Sequence, residues 1–311
     1  MSHSCNHRTE IKYLNRVKDS KSVHVDDRHN RPPRFVAIGH LSFDVNVIDN
    51  GTPSGYIPGG SAAYAALTAR GHGFSTGILT SLHEDYPVQD ILEGIDVRVS
   101  SSEHTSTFAN YYDSCNRYQV LLASGSKITS VIVPSEWKEP DIFFAGPLLH
   151  ELPADCVNWF KPKLSCLVPS GWLRRWGPSG VITHGDRLPL THGRKWSVIV
   201  VSEAEIRDLS EQYLFDIGEI VCVTNGGLGA RIWRNDVWSA IPAISAEPID
   251  LTGAGDTWAA AFVIALSEKP NRRDHDIEQA GMYAAAASAI AIESIGMSGC
   301  PSRDAVESRL I

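Results

Sequence analysis

Short apolar runs recur along the chain at Phe35–Gly39, Asp141–Leu148, Leu164–Val168, Val198–Val201 and Ile220–Val223, each ending at or beside a glycine, proline or polar turn residue. Apolar side chains at successive rather than alternate positions are what a parallel strand buried on both faces requires. Between these runs lie stretches of small and apolar residues with helical spacing: Ala62–Leu67, Trp258–Leu266 and the alanine-rich Gln279–Ile292, with a last short helix expected after Pro301. Strands alternating with helical segments predict an α/β fold, a predominantly parallel central sheet flanked by helices.

Two places break that alternation. Val45–Ile48 runs into Asp49-Asn50-Gly51-Thr52, where Asn-Gly supplies the positive backbone angles of a tight hairpin turn. Phe108–Tyr112 and Arg117–Leu122 flank residues 113–116 and read as a second hairpin. Aromatic and arginine side chains there suit a cover that closes over a ligand and excludes water. Residues 1–34 are polar, mixed in charge and end in Pro32-Pro33, too poor in apolar surface to offset their ordering entropy, and read as a flexible N-terminal extension. One ordered domain is therefore expected over residues 35–311.

With 43% hydrophobic and 21% charged residues the chain has the composition of a soluble globular protein. A formal charge of -8 argues against a general nucleic-acid binder, though not against a nucleotide substrate. The six cysteines, with no Cys-x-x-Cys, read as reduced packing residues, and the histidines lack a His-Glu-x-x-His spacing. No run reaches membrane-spanning length and no signal-peptide core opens the chain, so cytoplasm is the expected location.

The chemistry concentrates in Asp250-Leu251-Thr252-Gly253-Ala254-Gly255-Asp256-Thr257, immediately ahead of the helical run. Small residues there deliver the chain into a helix N-terminus. The amides of Gly253, Ala254 and Gly255, backed by the helix dipole, form a site for a developing phosphoryl anion, and Asp256 stands where an acceptor hydroxyl loses its proton. Gly71–Gly77 has the wrong spacing and context for a dinucleotide loop, and no Gly-x-x-x-x-Gly-Lys-Ser/Thr occurs, which disfavours a P-loop kinase.

The order Asp-x-Thr-Gly-Ala-Gly-Asp at 250–256 resembles the signature of the ribokinase-like (PfkB) carbohydrate kinases. The resemblance implies a ribokinase-like three-layer sandwich with a small β lid, its segments near 45–57 and 104–122. It implies Asp256 as general base and the 253–255 amides as anion hole. Gly39-His40-Leu41-Ser42-Phe43-Asp44 looks like the family's first strand and loop, in which Asp44 holds sugar hydroxyls. Pro58-Gly59-Gly60-Ser61-Ala62-Ala63-Tyr64 resembles the Gly-Gly-x-x-x-Asn signature, implying that Gly59, Gly60 and Tyr64 bind substrate, with Tyr64 standing where many members carry Asn.

On the donor side, Ser202-Glu203-Ala204-Glu205 occupies the place of the family's Asn-x-x-Glu, implying that Glu205 helps hold Mg2+ through water; Ser followed three residues later by Glu is also a helix-capping box. Thr224-Asn225-Gly226-Gly227-Leu228-Gly229 resembles the loop that cradles ATP, implying Thr224, Gly226, Gly227, Gly229 and Thr252 as nucleotide contacts. The segment Pro169–Arg174 resembles one in which an acidic residue often precedes the proline; Val168 stands there, and no role is assigned. The expected activity is ATP-dependent phosphorylation of a sugar, polyol or cyclitol, with a homodimer through the lid possible. The alternatives are a nucleoside kinase of the same family and a non-catalytic relative acting as sensor or scaffold.

Overall fold

The computed structural model describes residues 31–311 except 49–50, 113–116, 186, 190–193, 208 and 270, and all but the first of them fall in one unit, Pro32–Ile311. The extension expected over residues 1–34 thus lies almost wholly outside the described residues. The strands, in chain order, are β1 (Phe35–Ile38), β2 (Ser42–Ile48), β3 (Ile57–Gly59), β4 (Thr76–Leu82), β5 (Asp96–Ser101), β6 (Ser106–Tyr112), β7 (Arg117–Ala123) and β8 (Ile142–Ala145). They continue as β9 (Leu164–Leu167), β10 (Arg174–Trp176), β11 (Ile182–His184), β12 (Trp196–Ser202), β13 (Gly218–Thr224), β14 (Ala230–Arg234) and β15 (Val237–Ile241). The helices are α1 (Ser61–Gly71), α2 (Val88–Ile91), α3 (Ser170–Leu173), α4 (Glu211–Ile217), α5 (Ala254–Ser267), α6 (Asp274–Ala291) and α7 (Arg303–Arg309).

Nine strands form the central sheet in the order β15-β14-β13-β12-β9-β8-β1-β4-β5. The pairings from β13 to β5 are parallel, and β14 and β15 close one edge antiparallel. Because successive side chains leave a strand on opposite faces, each apolar run feeds two cores. Phe35 and Ala37 of β1, Ile142 and Phe144 of β8, and Val198 and Val200 of β12 pack under the helical face of α1, α5 and α6. Val36, Ile38, Phe143, Ala145, Ile199 and Val201 enter the opposite core with Trp137, Phe160, Trp172 and Leu214. That second covering layer is built mainly of short helical turns and loops rather than long helices.

The alanines of α1 at 62, 63, 65 and 66 are fully buried, as are Ala259, Ala260 and Ala261 of α5. Small side chains on both helices allow their close packing side by side, which brings their N-termini to one end of the sheet. Among the described residues no helix is long and apolar enough to cross a membrane.

A separate four-stranded sheet, β3-β2-β6-β7, forms the lid. Two expectations change here. The turn foreseen at Asp49-Asn50 lies outside the described residues, and β3 begins nine positions after β2 ends, so a two-residue hairpin does not join them. Nor does Asp44 sit in a loop: it lies within β2, paired in register with Ile57 of β3 and Phe108 of β6.

Candidate active site

Gly253 turns the chain into α5 with a left-handed backbone (φ 76°), and a Cβ placed there would lie 2.3 Å from the Tyr64 ring. Only glycine meets both demands. Asp250 pins the preceding loop, one carboxylate oxygen accepting from the Thr252 amide (2.9 Å) and the other from the Gly296 amide (2.8 Å). With the loop so fixed, the amides of Gly253, Gly255 and Asp256 have no partner among the described residues, as expected of a helix start whose first N–H groups face outward. The amide of Ala254 instead donates to the Leu251 carbonyl at 3.3 Å, so the outward set is 253, 255 and 256 rather than 253–255.

The Asp256 carboxylate accepts a short hydrogen bond from the hydroxyl of Ser61, the first residue of α1. Burial raises the Asp256 pKa to about 6; the Ser61 bond opposes that rise, Glu205 adds to it and Arg174 works against it. A carboxylate with that pKa is mostly ionised at neutral pH yet takes up a proton readily, the property a general base needs.

Asp44 faces the same region from the lid. Asn110 of β6 donates to it (2.9 Å) and to the Asn46 side-chain oxygen (3.1 Å), while Gln119 of β7 donates to Asn110 (2.8 Å). A chain of amides thus orients the carboxylate from three lid strands. Gly59 lies against Asp44, where a Cβ would meet a carboxylate oxygen at 3.0 Å, and Gly60 adopts φ 119° with its α-carbon packed on His40 and Leu41. Tyr64 is only 2% exposed; its ring is wedged beneath Gly253, and its hydroxyl is buried without a partner. The ring therefore has no open face for stacking on a base.

On the other side of the α5 start lies a cavity of about 700 Å3, lined by Thr224, Gly226, Gly227 and Gly229 from the β13 loop, by Ala254, Gly255 and Trp258, and by Ala285, Ser288, Ala289 and Ile292 from the end of α6. It gathers four of the five residues expected to contact nucleotide. Thr252 does not line it and spends its amide on Asp250. Glu205 accepts from both the amide (2.8 Å) and the hydroxyl (2.9 Å) of Ser202, a capping pattern that stabilises a turn; no helix follows there, and α4 starts only at Glu211. Both of these bonds go to the same carboxylate oxygen of Glu205, and among the described residues no three His, Cys, Asp or Glu side chains gather as a metal site. A second cavity of about 530 Å3 around Lys127, His150 and Arg175 contains none of the expected site residues.

Sequence reasoning passed over Ser61 and Asn110. Ser61 was visible as the hydroxyl following Gly59-Gly60, but its partner lies 195 positions away. Asn110 had a signal too, a polar side chain in an aromatic strand.

Residues 194–304 match the pfkB family carbohydrate kinase model. The chain is 22% identical to the cytidine kinase of Thermococcus kodakarensis over 75% of its own length and 88% of that protein. It is 39% identical to the ribokinase of Bacillus subtilis over 28% of this chain and 29% of that one. Its fold is shared with a pyrophosphate-dependent kinase of the ribokinase family, solved as a sulfate complex (TM-score 0.72, 21% identity, 88% of this chain and 99% of the other). By the family-model match over residues 194–304 and by its fold, the chain is similar to the ribokinase-like PfkB carbohydrate kinases, and its named relatives indicate a phosphotransferase with an alcohol as acceptor.

Proposed function

We propose that this chain transfers the γ-phosphoryl group of ATP to one hydroxyl of a sugar, polyol or cyclitol. The observation that carries the reading is a juxtaposition: a carboxylate poised near pH 6 shares a helix start with three unpaired amides, and the donor cavity is lined by that same helix start. In this reading Asp44, held by Asn110, accepts hydrogen bonds from vicinal hydroxyls of the acceptor. Asp256 takes the proton of the attacking hydroxyl. The amides of Gly253, Gly255 and Asp256 hold the charge on the transferring group, and the lid excludes water. Magnesium, held through water at Glu205, supplies charge neutralisation to the triphosphate.

The fold neighbour that uses pyrophosphate raises the question of the donor. The cavity beside α5 is large, its walls include Ile244, Leu251, Trp258 and Ile292, and among the described residues no lysine or arginine lines it. Such walls suit a purine and ribose and would be left wet around bare pyrophosphate. A nucleoside acceptor is the second reading, favoured by the likeness to a cytidine kinase; the covered Tyr64 ring weighs against base stacking at that position.

The test is a panel of pentoses, hexoses, inositols and nucleosides assayed for ADP release, with and without magnesium and with pyrophosphate replacing ATP. The proposal expects magnesium-dependent, acceptor-dependent release with ATP and at least one polyhydroxylated acceptor. Turnover with nucleosides alone would move the acceptor assignment, and turnover with pyrophosphate alone would overturn the donor.

A further inference from the structure

The segment Pro169–Arg174, to which sequence reasoning gave no role, ends in an arginine doublet whose two members behave differently. Arg175 is spent on the protein, donating to the carbonyls of Trp172 (2.6 Å), Arg174 (2.8 Å) and Arg187 (2.9 Å). The Arg174 guanidinium donates one hydrogen bond, to the Leu148 carbonyl (2.8 Å), and lies over the Phe108 ring at 5.0 Å. A guanidinium carries five N–H donors. The remaining donors of Arg174 enter no hydrogen bond given among the described residues.

Placement says what these donors face. Phe108 is the register partner of Asp44, so the ring that seats Arg174 also neighbours the acceptor carboxylate. Leu148 follows Gly146, whose α-carbon packs on Ser61, the partner of Asp256. Glu205, Asp44, Asp256 and Glu151 are the acidic groups that act on Arg174, and Glu151 is already committed to the amides of His40, Leu148 and Leu149. A half-buried cation amid separate carboxylates is costly unless an anion completes it. Two of these neighbours belong to opposite sides of the reaction in the kinase reading, Glu205 to the donor and Asp44 to the acceptor. The group that both sides share is the phosphoryl in transfer.

We infer that Arg174 is a catalytic residue, its guanidinium binding the equatorial oxygens of the phosphoryl group as that group passes from ATP to the acceptor hydroxyl. The inference rests on the kinase reading above. The acceptor oxygen forms its bond to the γ-phosphorus as the bond to the bridging oxygen breaks, ADP leaves with the electron pair, and the hydroxyl proton goes to Asp256. Arg174 keeps its protons throughout and contributes hydrogen bonds and charge. A planar fork suits two phosphoryl oxygens at once, which a lysine cannot match.

The experiment compares wild type, Arg174→Ala and Arg174→Lys with the best acceptor of the panel, measuring kcat, both KM values, ADP affinity by calorimetry and recovery on adding guanidinium chloride at millimolar levels. The expected result is a kcat lower by about 100-fold to 10,000-fold in Arg174→Ala, with both KM values and ADP affinity within about threefold of wild type. Arg174→Lys should recover part of the loss, and added guanidinium should raise the Arg174→Ala rate by roughly tenfold or more. Near-normal kcat in an active preparation, or a loss confined to acceptor KM, overturns the inference while leaving the kinase reading intact. A wild type with no acceptor-dependent ADP release sinks both. An Arg174→Ala protein that fails to bind ADP passes the decision to Arg174→Lys, for which kcat equal to wild type is the refuting result.

Discussion

The hydrogen bond between Ser61 and Asp256 has a consequence in solution. Burial holds the Asp256 pKa up at about 6, and Ser61 is the partner that restrains the rise, because a donor to the ionised form favours it. Phosphorylation requires the ionised base, so kcat/KM should fall as pH drops below about 6, with a slope of one proton. Removing the donor in Ser61→Ala lets the pKa climb further, and the acid limb should move towards neutral pH while the rate on the alkaline plateau changes less. A pH profile of both proteins checks this. An acid limb that stays put in Ser61→Ala would show that Ser61 does not set the charge state of the base. The surrounding charges, Glu205 and Arg174, push in opposite directions and are common to both proteins. At this scale the sequence announced the motif from Asp250 to Asp256 but not its details. That the Ala254 amide is spent on Leu251, and that a serine from α1 reaches Asp256, depend on how a loop closes and how two distant helices meet, which residue order alone does not encode.

Among the elements, the lid links recognition to packing. Asn110 is 2% exposed and joins Gln119, Asn46 and Asp44 in a single amide chain, so its loss leaves three polar groups short of a partner. Asn110→Ala should cost on the order of 1–3 kcal/mol of stability, as unsatisfied buried polar groups do, and should raise acceptor KM with a smaller change in kcat and none in ADP affinity. Chemical denaturation together with steady-state kinetics separates these effects; an unaltered acceptor KM would remove the lid from recognition. The strands of the central sheet were legible because parallel strands buried on both faces write continuous apolar runs, as at Phe35–Ile38 and Val198–Val201. The pairing of β2 with β6 was not, since it is a parallel contact between segments about 64 positions apart and no local turn signals it. The β10–β11 hairpin was missed for another reason: its strands are three residues long and carry little apolar pattern.

For the molecule as a whole, the dimer through the lid expected from the sequence has a direct test. Tyr118 and Leu122 of β7 and Tyr56 beside β3 are exposed, and Ile48 of β2 is exposed on the face of the sheet opposite Tyr118. One lid edge is partly capped within the chain, where Val120 bridges Val181 and the Leu121 amide donates to the Gly180 carbonyl. We propose self-association through the lid face, and light scattering at micromolar concentration should report a dimer that Tyr118→Glu converts to monomer. A monomeric wild type would refute that.

The central claim is that Asp256 and the amides around it transfer phosphate from ATP to an alcohol. Phosphorus NMR of wild type and Asp256→Asn, each incubated with ATP, magnesium and the best acceptor, tests it directly. The account predicts a new phosphomonoester signal with wild type and its reduction by about 1,000-fold or more in rate with Asp256→Asn, which should still bind ADP. Formation of the same product at near-normal rate by Asp256→Asn would contradict the account.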